Sequence, residues 1–266
     1  IIFVCASAFN STWILMNTAT DIWPEGLGSS CGELGHNVMD HHFRVGAGGT
    51  VEGYEEYIEY GRRPTGIYIP RFQNIYNDKR DYLRGYGYQG GAGRGRGVPV
   101  AELLGAEFKE AQFQPGKWYM GITAFGEMLP DHENTIKLDK DKKDKWDLPV
   151  LRMDVELKEN EHKMREDMKA EGKAMLEAMG IKDAYEYDWG YAPGMGIHEM
   201  GTARMGRDPK TSVLNGNNQV WEAPNVFITD GACMVSSSCV NPSLTYMALT
   251  ARAADYAVKE LKKMNL

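Results

Sequence analysis

Cysteine is scarce in these 266 residues: there are four, Cys5, Cys31, Cys233 and Cys239, with no metal-ligand spacing among them. Four are too few for a disulfide scaffold, so they read as core thiols. Long apolar runs are lacking too; no stretch approaches the roughly 18 consecutive apolar residues that a membrane-spanning helix needs. Positive charge is in deficit, with 30 Lys and Arg against 37 Asp and Glu and a net charge of -7. A nucleic-acid partner, which requires clustered basic residues, is thereby disfavoured. An initiator Met is missing as well. The chain opens on Ile1, Ile2, Phe3, Val4, Cys5 and Ala6, an apolar run expected to form a buried strand. A buried strand needs neighbours, so the sequence reads as part of something longer. Any targeting signal would then lie upstream, which leaves a cytoplasmic or periplasmic location open.

What is present is ordinary globular material, 42% hydrophobic and 25% charged. Residues 7–18 fit a helix after the first strand. Short strands are expected between 43 and 76, among them Gly66 to Pro70. Residues 85–97 are so rich in glycine that a mobile loop near the substrate entrance is expected there. Trp118 to Leu129, Thr135 to Leu138 and Pro149 to Leu157 read as strands, with the charge run Asp139 to Asp147 as a solvated hairpin loop. Asn160 is the expected N-cap of a helix ending at Gly180. Asn225 to Asp230 reads as a strand, and a final helix is expected from about Pro242 to Lys263. The triplet Asp40, His41, His42 reads as a structural loop rather than a metal site, for want of a further ligand at suitable spacing. His132 and His162 sit in charged surroundings and carry little weight.

Two segments stand apart, 194–206 and 230–245. In the second, Asn241 and Pro242 suit the N-cap and first position of a helix, whose dipole end favours negative charge. In the first, His198 lies in a Gly- and Met-rich stretch and has the chemistry of a base near neutrality. Read alone, an Asn-Pro pair is a helix cap and a lone His is structural; neither assigns a reaction.

Together, however, His198, Gly201, Thr202, Met205 and Gly206 resemble the His-x-x-Gly-Thr-x-x-Met-Gly signature of the glucose–methanol–choline (GMC) oxidoreductases. Asn225 to Ala232 is similar to that family's strand ending in Asp-Gly-Ser/Ala, and Asn241, Pro242, Thr245 and Ala248 resemble its Asn-Pro-x-x-Thr-x-x-Ala helix start. Phe3 to Ser11 and Gly35 to His41 are similar to its adenosine-side strand and its Gly-x-Asn-Leu-x-Asp-His loop. The likeness covers about 1–42 and 190–266 and leans toward bacterial sugar and glycoside dehydrogenases and pyranose-oxidase-like enzymes. It implies FAD as cofactor, His198 as catalytic base and Asn241 as the group bonded to the substrate oxygen. It further implies that Ala6, Asn10, Asp230, Gly231, Ala232, Asn241, Pro242 and Thr245 hold the flavin, with no metal.

The family's Gly-x-Gly-x-x-Gly fingerprint is missing from its proper setting. Gly85, Gly87 and Gly90 match the letters but follow no buried strand and open no helix. The resemblance thus implies an α/β chain with an α+β substrate domain. A nucleotide fold is assembled from 1–42 and 194–266, and an antiparallel sheet with helices spans 43–193. The expected activity is oxidation of a CH-OH group on a sugar or other alcohol. The electron acceptor is open among oxygen, a quinone and a cytochrome, and self-association is also open. These 266 residues alone are expected neither to hold FAD tightly nor to turn over. Two other readings are a non-catalytic sugar-binding module on the same fold and a flavin-dependent hydroxynitrile lyase.

Overall fold

Ile2–Val4 forms β1, and the helix α1, Ala8–Met16, follows it after a turn in which Ser7 takes a φ of 76°. The computed structural model describes residues 1–57, 66–96 and 103–266. These form two compact units. The first comprises Ile1–His41, Glu127–Lys158 and Ala192–Leu266. Its sheet has the order β1-β10-β9, where β9 is Gln219–Val220 and β10 is Ala223–Ile228. β1 lies parallel to β10, with Ile2 opposite Val226 and Val4 opposite Ile228, so the two ends of the chain share one sheet. Ala8, Leu15 and Met16 of α1 pack with Leu27, Leu34, Leu214, Val220, Ile228 and Cys233 in the core beside it. The final helix, α4, is Ser243–Lys262.

Three expectations for this unit change. β1 is not buried: Ile1 and Ile2 are about half exposed, because β1 is an edge strand with β10 on one side. The cysteines are free but not all core thiols; Cys233 and Cys239 are buried, Cys31 is half-buried and Cys5 is exposed. The hairpin of β6, Thr135–Lys143, and β7, Pro149–Asp154, belongs with the chain ends, so the expected middle segment 43–193 is interrupted at 127–158. Much of the charge run is strand, because β6 continues to Lys143. The turn proper is closed by Asp144, whose carboxylate accepts from Trp146 N–H at 2.8 Å and Leu148 N–H at 3.0 Å.

The second unit is His42–Gly126 with Glu159–Tyr191. An antiparallel sheet has the order β3-β4-β5-β2-β8, formed by Gly66–Ile69, Tyr86–Arg96, Pro115–Gly126, Val45–Val51 and Tyr185–Asp188. A short exposed helix, α2, spans Gly105–Phe113. The long helix α3, Glu159–Ala178, lays Met164, Met168 and Leu176 on Val45, Ala47, Tyr86, Tyr88 and Ile122. Here the expected mobile loop is wrong through residue 96: it is the strand β4, paired on both sides by β3 and β5. Residue 97 lies outside the described residues. Glycine is needed for that pairing. A Cβ on Gly90 would sit 2.3 Å from the Gly121 carbonyl oxygen. The alternate residues Tyr86 and Tyr88 are fully buried and reach α3, donating to Asp167 Oδ2 at 2.8 Å and to the Met168 carbonyl at 2.6 Å. Asn160 lies inside α3 and does not cap it; its side-chain oxygen accepts from Leu83 N–H at 2.7 Å. Gly180, with a φ of 93°, ends the helical stretch as expected.

Candidate active site

The loop that carries His198 is held by one carboxylate. Asp40 Oδ2 accepts from the backbone N–H groups of Gly194 and Gly196, each at 2.8 Å. Its Oδ1 accepts from His41 N–H at 2.7 Å and His198 N–H at 3.3 Å. Such donor sets match a carboxylate, which only accepts. Burial nevertheless pushes the Asp40 carboxyl above its usual range, with the four N–H groups pulling it back. Glycine is required where the loop meets this anchor: a Cβ on Gly196 would lie 2.5 Å from Asp40 Oδ1. Ile197, immediately before His198, takes a φ of 60°, a conformation that β-branched residues avoid. Beyond it, Met39 and Met200 exchange backbone bonds of 2.9 and 2.8 Å, so the segment around 35–41 runs antiparallel to the His198 segment.

Two rings and an amide then line up. His198 Nδ1 is 2.9 Å from His41 Nδ1, the two rings meeting edge-on at 75° with centroids 4.8 Å apart. His41 Nε2 bonds the main-chain carbonyl of Ser238. On the other side, His198 Nε2 is 3.3 Å from Asn241 Nδ2. Asn241 is therefore not the N-cap of α4: Pro242, whose ring offers no capping acceptor, holds that place, and the Asn241 amide nitrogen lies against His198. Partial burial lowers the His198 pKa, opposed by the charge of Asp40. Deeper burial, and then the His198 charge, push His41 down to about 4.

Asp230 closes the other half of the site. Its carboxylate accepts from Ala232 N–H at 2.9 Å and from the Ser11 hydroxyl, and Ser11 Oγ in turn accepts from Ala6 N–H at 2.9 Å. The following turn, Gly231–Cys233, pairs with the His198 segment: Gly201 N–H donates to the Gly231 carbonyl at 3.1 Å and Ala203 N–H to that of Ala232 at 3.0 Å. A Cβ on Gly231 would meet the Glu199 carbonyl at 2.4 Å and the Tyr246 hydroxyl at 3.1 Å. That hydroxyl is buried without a hydrogen-bond partner among the described residues.

Of the residues singled out from sequence, His198 and Asn241 are bonded to each other, and Ala6, Asp230 and Ala232 share a second set of bonds; Gly231 and Ala232 pair with Gly201 and Ala203 of the His198 segment. Asn10 is exposed and lines a cleft with Trp13, Asp144 and Pro149; Thr245 is exposed on the first turn of α4, and Pro242 is buried. Sequence reasoning missed Asp40, His41, Ser238 and Tyr246. The available signal for Asp40 and His41 was the family-like loop Gly35 to His41, to which no site role was given; the Asp40, His41, His42 triplet was otherwise read as a structural loop.

A family model described as GMC oxidoreductase, for the C-terminal domain, matches residues 130–250, a span that holds His198, Asp230 and Asn241. The chain is 30% identical over 280 residues to 2-methyl-1,2-propanediol dehydrogenase of Mycolicibacterium austroafricanum, covering 96% of this chain and 47% of that protein. It is 27% identical to the fructose dehydrogenase large subunit of Gluconobacter japonicus, covering 98% of this chain and 47% of that one. Among solved structures, formate oxidase of Aspergillus oryzae RIB40 shares the fold, with a TM-score of 0.59 at 11% identity over 98% of this chain and 54% of that chain. The chain spans about half the length of these relatives. With the family model laid over the signature residues and relatives matched along nearly the whole chain, the chain is similar to the GMC oxidoreductases.

Proposed function

We propose that the whole protein is an FAD-dependent oxidoreductase that oxidises a CH-OH group of a sugar or related alcohol. The observation that carries this reading is the placement of Asn241 Nδ2 3.3 Å from His198 Nε2, with Asn241 exposed. A substrate hydroxyl approaching both from the exposed side meets a base at His198 Nε2 and a donor at Asn241 Nδ2. His198 takes the hydroxyl proton, and the Asn241 amide orients the oxygen that loses it. FAD bound beside them would supply the hydride acceptor. The residues suit it: Pro242 offers the start of α4 no capping side chain, the Tyr246 hydroxyl is buried beside Gly231 with no hydrogen-bond partner among the described residues, and Val235, Val240, Leu244 and Met247 expose apolar surface before and near the start of α4. Helix-start N–H groups and apolar cover are what an electron-accepting ring requires. Ala6, Asn10, Asp230, Gly231, Ala232, Asn241, Pro242 and Thr245 would hold the group. The names of relatives, which include a fructose dehydrogenase and a C-glycoside 3-oxidase, support sugars as the substrate class.

The test is anaerobic flavin reduction in the full-length protein over a panel of sugars and simple diols. His198→Ala should slow reduction by ~10²–10⁴-fold with FAD retained. Because the His198 pKa is lowered, its neutral, proton-accepting form persists below the ordinary value of 6.5, and the wild-type rate should fall only as pH drops beneath that value. An unchanged rate in the variant removes His198 from the chemistry.

A further inference from the structure

We propose that His41 is a positioning residue that keeps the proton of neutral His198 on Nδ1 and leaves Nε2 as an acceptor facing Asn241. The catalytic meaning of this rests on reading His198 as the base; the tautomer itself does not. The argument starts at a group that cannot choose. The Ser238 carbonyl only accepts, so His41 Nε2, which bonds it, carries a hydrogen. A neutral imidazole has one N–H and one lone pair, so His41 Nδ1 is then an acceptor. His198 Nδ1 stands 2.9 Å from it and must donate. That leaves the lone pair of His198 on Nε2, opposite Asn241 Nδ2, which only donates. Worked backwards from Asn241, the same assignment results. Reversing it at any link would set two lone pairs or two hydrogens against each other.

The relay is anchored on main chain. Ser237 Oγ, beside Ser238, accepts from Met128 N–H at 3.1 Å and donates to its carbonyl at 3.1 Å. His41 is fixed by Asp40 at its N–H and by a backbone bridge to Glu127. Burial holds His41 neutral over the working range, so it takes no proton from His198. A proton arriving at His198 Nε2 therefore stays on His198, while its Nδ1–H remains bonded to His41.

The experiment uses full-length, FAD-loaded protein labelled with 15N-histidine. Long-range 1H–15N spectra read each ring's tautomer, and His198 is assigned by its loss in His198→Ala. In wild type, His198 should be protonated on Nδ1 and bare on Nε2. His41→Phe keeps the ring volume without the acceptor; it should bring in the Nε2–H form and slow flavin reduction by roughly 10- to 100-fold. His41→Asn places an amide oxygen near the lost Nδ1 and should restore the wild-type tautomer and much of the rate. A wild-type His198 protonated on Nε2 overturns the proposal, as does His41→Phe with an unchanged tautomer. Should His41→Phe fail to fold, the wild-type spectrum still decides. An unaffected rate in His198→Ala would instead remove the base assignment and leave the spectrum to judge the tautomer.

Discussion

With Pro242 in the N-cap place of α4, the Asn241 amide nitrogen lies against His198 rather than in the capping position. Asn241→Ala should therefore slow flavin reduction while changing stability by no more than ~0.5 kcal/mol, the usual range for an exposed site. Urea unfolding checks this. A loss near ~1 kcal/mol, typical of a removed cap, would show that the side chain caps α4 after all. His198, Asn241 and Asp230 were legible in the sequence because each lies in a motif whose spacing survives in the chain. Asp40 and His41 lay in a family-like loop, but their roles did not show. Their partners include backbone N–H groups more than 150 positions away and a carbonyl of Ser238, and main-chain groups leave no trace in residue identity.

β4 shows the opposite failure, in which composition misleads about an element. Its glycines suggest a costly, mobile loop, since glycine loses most entropy on ordering. Pairing on both edges and two buried tyrosines bonded to α3 outweigh that cost. Propensity is a weak guide wherever strands approach closely. Gly90→Ala tests this directly. Its Cβ would press on the Gly121 carbonyl at 2.3 Å, a main-chain atom that cannot rotate away. The expected loss is ~1–3 kcal/mol in urea unfolding, the range for an overpacked site. A variant as stable as wild type would mean that β4 is loosely held. Gly180, by contrast, was readable because a left-handed φ after a helix demands that residue locally.

On the scale of the whole chain, the first unit is assembled from three separate stretches. Ser11 bonds Asp230 across 219 positions, and Thr12 bonds Thr202 at 2.7 Å across 190. Such distant pairings close large loops and slow folding. The meeting of the two ends was legible because both carry family-like segments. The inclusion of 127–158 was not, since a charged hairpin without a motif says nothing about its neighbours. The free thiols turn this assembly into a chemical clock. Cys5 is exposed, whereas Cys233 lies inside the first unit with no exposed surface, its pKa pushed up to about 12 by burial and then by the charge of Asp230. Alkylation requires thiolate and access, and Cys233 gains both only when its surroundings open. In dilute iodoacetamide, mass spectrometry of the digested protein should find Cys5 modified early and Cys233 left untouched. Added urea should then release Cys233 in step with loss of the β1–β10 pairing. Equal rates at the two thiols in native buffer would mean that the strand joining the chain's ends opens freely.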